Sequence, residues 1–124
     1  MSIHESAEMY LETIYALSLT NPSVRSIDVA EALNYSRPSV SRAVSLLKND
    51  GHLTVDQDGF LVLTETGIAI AKKIYERHTV LVSALVALGV DKDTATEDAC
   101  KIEHDISDKT FDAIKKHMEL MGKL

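Results

Sequence analysis

Cys100, Glu103 and His104 place a thiol, a carboxylate and an imidazole at i, i+3 and i+4 within the segment Cys100-Lys101-Ile102-Glu103-His104. On a helix these three side chains share one face. A thiolate, a carboxylate and a neutral imidazole suit Fe(II), Mn(II), Co(II), Ni(II) or Zn(II) rather than Mg(II) or Ca(II), which prefer oxygen donors. Near the start of the chain, Met9 and Glu12 supply a thioether and a second carboxylate at i, i+3. Where the two faces meet, these donors complete a transition-metal shell. Taken singly, a cysteine or methionine is more often packing and a Glu-His pair more often a solvated helix edge. The combination carries the metal reading. A metalloenzyme is the weaker use of it, because no HExxH arrangement occurs and no additional base or nucleophile stands beside the cluster.

The elements that must hold these groups are legible from periodicity. From about Glu5 to Leu19, the apolar positions Ala7, Tyr10, Leu11, Ile14, Tyr15 and Leu17 follow helical spacing, and Asn21-Pro22-Ser23 ends the run. A short helix over Asp28–Leu33 is broken by Asn34-Tyr35-Ser36. A second helix then runs through Lys48, with Ser36 as N-cap and Pro38 in the first turn, where its missing N–H costs nothing. This is a helix-turn-helix pattern. Asp50-Gly51 stops the second helix, and His52–Val55 and Phe60–Leu63 predict two strands around a turn containing Asp58-Gly59. The order is that of a winged helix. Thr64 caps a long helix from about Glu65 to Leu88, with Ile68, Ala71, Ile74, Tyr75, His78, Leu81, Val82 and Leu85 on its apolar stripe. Gly89 stops it, a helix from about Thr94 to His104 follows, and Ser107 caps a last helix from Asp108 to Met121. The fold class expected is mainly α with a small β-hairpin wing. An N-terminal winged helix-turn-helix domain spans residues 1–72 and a helical domain spans 73–124, the break falling near Ala71 to Tyr75.

Bulk properties set the compartment and the partners. A chain of 124 residues, 45% of them hydrophobic, suits one compact domain or two small lobes. One cysteine excludes an internal disulfide, and no signal-like segment opens the chain, so a cytoplasmic protein is expected. The longest apolar run, from Val80 to Val90, falls well short of the roughly 20 residues of a membrane span. The net charge of −6 argues against a nucleic-acid binder, but between Asn34 and Asn49 the only charged residues are Arg37, Arg42 and Lys48. The acids crowd the start and the last third, where divalent cations would offset them.

These residues together resemble one family, the metal-dependent repressors typified by the diphtheria toxin repressor and the manganese transport regulator. The resemblance covers essentially the whole chain. It is carried by Ala7–Tyr15, by Val29–Leu33 through Ser36–Ser41, by Leu63-Thr64 with Gly67, by His78, and by Asp98–His104 with Ser107-Asp108. It implies a winged-helix DNA-binding domain and a helical domain that binds metal and dimerises; some members add an SH3-like third domain, for which 124 residues are expected to leave no room. Met9, Cys100, Glu103 and His104 are similar to the primary site of the iron-responsive branch. Glu12 and His78 match metal-ligand positions of the manganese branch, so the chain looks like a hybrid of the two. The ancillary ligands of the iron branch would fall at Val82 and Thr96, which bind no transition metal usefully. A second ion would have to use Glu12, His78 and Glu103, with or without Cys100.

The function expected from this resemblance is a metal-dependent repressor of metal-uptake genes that binds double-stranded operator DNA as a homodimer. A thiolate and a thioether favour Fe(II), the ion expected, with Co(II), Ni(II) and Zn(II) also suited and Mn(II) the harder alternative. A winged-helix regulator indifferent to metal is the remaining alternative. Without an ion, Glu12, Glu103 and a thiolate at Cys100 would repel one another. On the DNA side, Arg37, Ser39, Ser41 and Arg42 are expected at the groove, with Pro38 against a thymine methyl. Ser36 and Lys48 are expected at phosphates.

Overall fold

The computed structural model describes residues 3–124, and side chains from residue 5 onward. In chain order the elements are α1 (Ile3–Ser18), α2 (Ser26–Leu33), α3 (Arg37–Asn49), β1 (Leu53–Val55), β2 (Leu61–Leu63), α4 (Glu65–Ala87), α5 (Lys92–Ile102) and α6 (Asp108–Leu120). They form two compact units, Met1–Lys72 and Lys73–Leu124, so the division falls within α4.

The first unit is a winged helix-turn-helix. Its core gathers Leu11 and Ile14 of α1, Val29 of α2, Val40 and Leu47 of α3, Leu53 and Leu61 of the hairpin, and Ala71 of α4. Between α2 and α3 the chain reverses through Asn34, the only non-glycine residue at positive φ among those described (φ 56°). Asparagine tolerates this left-handed conformation better than most residues. The Tyr35 N–H then donates to the Ala30 carbonyl at 3.0 Å, closing the end of α2. Ser36 caps α3 as its position predicts, its hydroxyl oxygen accepting from the Ser39 N–H at 3.3 Å.

β1 and β2 pair antiparallel, with Leu53 opposite Leu63 and Val55 opposite Leu61. The turn between them is built by Asp56, whose carboxylate accepts from the N–H groups of Asp58 and Phe60, both at 2.9 Å. At the root of the wing, the His52 carbonyl accepts from the Thr64 N–H at 3.1 Å, and a Cβ on Gly67 would run into that same carbonyl. Glycine at this position lets the first turn of α4 lie flat on the hairpin's base.

The buried line of α4 differs from the predicted stripe. Ala71, Ile74, Arg77, Val80 and Leu81 are buried, whereas Ile68 and Tyr75 are exposed. Helix α5 also starts and ends two residues earlier than the sequence pattern suggests, starting after the Asp91 cap and closing at Ile102. Arg77 accounts for the ending. Its Nη1 donates to the Glu103 carbonyl at 3.1 Å and to the Ile106 carbonyl at 2.7 Å, and Nη2 donates to Asp108. A carbonyl given to a guanidinium is no longer aimed at the next turn of helix. The Arg77 guanidinium carbon also lies 5.5 Å from the centre of the Phe111 ring, and Lys73 reaches Asp108 at 3.2 Å. Ser107 then caps α6 by accepting from the Thr110 N–H at 3.2 Å. No helix among the described residues is long and apolar enough to cross a membrane.

Candidate metal centre

The second unit brings three of the predicted ligands together. One donor atom from each of His78, Cys100 and Glu103 lies within 4.8 Å of the other two. His78 comes from the middle of α4, Cys100 from the last turn of α5, and Glu103 from the residue that ends α5. His78 Nδ1 is 2.9 Å from Glu103 Oε2 and 3.8 Å from Cys100 Sγ. Glu103 is 1% exposed, while Cys100 is open to solvent. A carboxylate this buried needs a counter-charge or a full set of donors. His104 follows with Nε2 at 3.4 Å from Glu103 Oε1 and its side chain 6% exposed. Because α5 has already ended, Glu103 and His104 stand in the turn that follows it, and of the three side chains expected on one helical face Cys100 and Glu103 meet in the cluster while His104 lies against Glu103.

The electrostatics differ from the mutual repulsion expected without an ion. His78 has its pKa raised to about 10, first by its hydrogen bond to Cys100, then by that to Glu103, with burial opposing. The Nδ1 proton thus stands between a carboxylate and a sulfur, and an imidazolium supplies the positive charge within this unit. A divalent cation asks the same of its ligands, namely a negative carboxylate, a thiolate and a nitrogen lone pair gathered at short range. The donor set fits such an ion.

Met9 and Glu12 belong to the first unit, on α1. Met9 is half-buried against the core of that unit, and the Tyr35 hydroxyl donates to its Sδ at 3.7 Å. Arg77 and Tyr35 are two residues that the sequence pattern does not single out. The signal for Arg77 is a charge at i+3 from Ile74 and four before Leu81, on the buried line of a helix. For Tyr35 the sequence offers only an aromatic in a turn, which is no signal by itself.

Of the residues expected at DNA, Ser36, Arg37, Pro38, Ser41, Arg42 and Lys48 are exposed and Ser39 is half-buried. The Ser36 hydroxyl donates to Ser39 Oγ at 2.8 Å, and Arg42 reaches the same oxygen at 3.4 Å. The two serines therefore stabilise the start of α3. Ser45 and Leu46, the latter 60% exposed, extend the outward face of the helix beyond the residues expected there.

Comparison with known proteins places this geometry in context. A family described as "Iron dependent repressor, N-terminal DNA binding domain" matches residues 2–61. A second, described as "Iron dependent repressor, metal binding and dimerisation domain", matches residues 64–122. The chain is 35% identical over 117 residues to an uncharacterized HTH-type transcriptional regulator of Methanocaldococcus jannaschii, covering 93% of this chain and 94% of that protein. It is 34% identical over 116 residues to the HTH-type transcriptional regulator MntR of Lysinibacillus sphaericus, covering 94% of this chain and 84% of that one. Among solved structures, the manganese regulator SloR superposes with a TM-score of 0.82 at 28% identity, over 96% of this chain and 55% of its own. A manganese-dependent transcriptional repressor in complex with manganese gives 0.83 at 27% identity, over 91% and 52%. The chain therefore spans about half the length of these solved proteins.

Proposed function

This chain belongs to the family of iron-dependent repressors, and from that premise we propose that it is a metal-dependent transcriptional repressor that binds operator DNA as a homodimer. The observation that carries the reading is the convergence of an imidazole, a thiol and a buried carboxylate at His78, Cys100 and Glu103. His104 joins them on the strength of its burial and its distance to Glu103. Met9 and Glu12 are included because they occupy one face of α1 with complementary donor types. These residues would hold a divalent ion, which would supply the positive charge that the His78 proton otherwise provides.

The division of labour follows from the two units. The first presents α3 to a major groove, with Arg37, Pro38, Ser41 and Arg42 outward and Lys48 near the phosphates. The second holds most of the ligands. A homodimer is supported by an apolar groove of about 730 Å³ between α4 and α6, lined by Leu81, Leu85, Leu88, Ile114 and Met118. Leu88 is 81% exposed in the isolated chain, an apolar cost that a second copy removes. DNA affinity then responds to metal by the difference in metal affinity between the DNA-competent arrangement and all others.

We take Fe(II) as the ion sensed and metal-uptake genes in the cytoplasm as the targets, because a sulfur donor weighs against the harder Mn(II). Mn(II) is the second reading, favoured by the likeness to the manganese regulator SloR and to a manganese-dependent transcriptional repressor. The test is an anaerobic DNA-binding titration against Fe(II), Mn(II), Co(II), Ni(II) and Zn(II), with bound metal counted. Equal DNA affinity with and without a chelator would leave a winged-helix regulator indifferent to metal.

A further inference from the structure

Tyr35 joins α1 to the start of α3 inside the first unit. Its backbone is fixed by the hydrogen bond to Ala30 at 3.0 Å, and the next residue, Ser36, is the cap of α3. Its ring stands edge-on to Tyr10, with centroids 6.1 Å apart and planes at 66°. Tyr10 is 7% exposed, so it is a rigid partner. The hydroxyl at the far end of the ring donates to Met9 Sδ at 3.7 Å. Met9 and Tyr10 are successive residues of α1, so one turn of that helix grips the Tyr35 side chain at both its ring and its tip.

The sulfur is the group that needs this. A methionine side chain turns about three flexible bonds, which makes it a good gap-filler and a poorly aimed ligand. A hydrogen bond from a phenol whose ring is itself held by Tyr10 removes much of that freedom. A thioether sulfur carries two lone pairs, so one can accept from Tyr35 while the other remains for a soft cation. We propose that Tyr35 is a positioning residue for the Met9 sulfur donor, holding the thioether in a binding-ready orientation before any ion arrives. The inference rests on the reading of Met9 as a metal ligand.

The test uses the full-length chain as wild type, Tyr35→Phe, Met9→Leu and the double variant. Tyr35→Phe deletes one exposed hydroxyl and keeps the ring, so its thermal midpoint stays at the wild-type value. In the metal-free protein, the ¹³C-methyl NMR signal of Met9 moves toward the averaged position of a freely rotating methionine. Co(II) affinity, read from its absorption bands without DNA, weakens about three- to tenfold, the worth of one ordinary hydrogen bond. In the Met9→Leu background the same Tyr35→Phe change has no further effect. Wild-type Co(II) affinity in Tyr35→Phe, a tighter affinity, or an equal loss in the Met9→Leu background would overturn the positioning role. Wild-type affinity in Met9→Leu would instead overturn Met9 as a ligand, so the two failures are told apart.

Discussion

His78 Nδ1 sits 2.9 Å from Glu103 Oε2, and the sulfur of Cys100 lies 3.8 Å from the same nitrogen. One N–H therefore serves two acceptors that a divalent ion would also claim. Proton and metal compete for this position, and the competition fixes the signs of several measurements.

Stability of the metal-free protein should depend on pH through His78. Its folded pKa is raised from 6.5 to about 10, so the stabilisation is fully present below the unfolded value and is lost as pH rises through the folded one. Chemical denaturation between pH 6 and 10, with chelator present, should show stability falling over that window. In Cys100→Ala the largest cause of the shift is gone, and the fall should move to lower pH.

Metal binding has the opposite sign. The His78 proton must leave before the nitrogen can coordinate, so affinity should rise with pH across the neutral range. A titration in weak buffer should acidify the solution. A neutral titration with no proton release would remove His78 from the ligands.

Cys100→Ala should abolish the response of DNA binding to Fe(II) while leaving the fold intact, because the thiol is exposed and leaves little cavity. Changing Met9 to Asp and Cys100 to Glu together replaces both sulfur donors by oxygen. That double variant should gain response to Mn(II) relative to Fe(II), Co(II) and Ni(II). DNA-binding titrations with each metal check both outcomes. A wild-type Fe(II) response in Cys100→Ala would make the thiol packing rather than ligand.

Arg77→Met should cost about 2 to 4 kcal/mol of stability, because two main-chain carbonyls lose their donor. The exposed Asp108 end of the interaction contributes little to that sum. Urea denaturation measures the loss, and a cost within experimental error would mean that water replaces the guanidinium.

Arg42→Ala should weaken DNA binding by about 1 to 3 kcal/mol at the specific site if the guanidinium reads a base edge. Contact with phosphate instead predicts a uniform loss across sequences and a shallower salt dependence. Unchanged affinity and salt slope would take Arg42 out of the interface.

Much of this was open to reading because local chemistry and tertiary structure agree. Ser36 and Ser107 are good caps and do cap, and the Asp56–Gly59 turn closes the hairpin. Cys100 and Glu103 declare themselves by donor type and spacing, which survive without any knowledge of distance, whereas His78 enters only through the resemblance to the repressor family. What escaped depends on partners far along the chain. The end of α5 is set by Arg77, 26 residues before the carbonyl of Glu103 that it takes. Ile68 and Tyr75 fit the helical stripe yet face solvent, since periodicity gives the width of a face but not where along it the neighbours stop. The Tyr35 hydroxyl meets the Met9 sulfur while its ring stands edge-on to Tyr10, a relation with no trace in spacing.

The grip of Arg77 has a consequence for how such a chain can drift over generations. Both of its contacts on the link between α5 and α6 are to main-chain oxygens, those of Glu103 and Ile106, which every amino acid possesses. Replacements along the link are therefore invisible to the guanidinium so long as the backbone keeps its path. Descendants can rewrite Asp105 and Ile106 and still inherit a Glu103 held in register with His78.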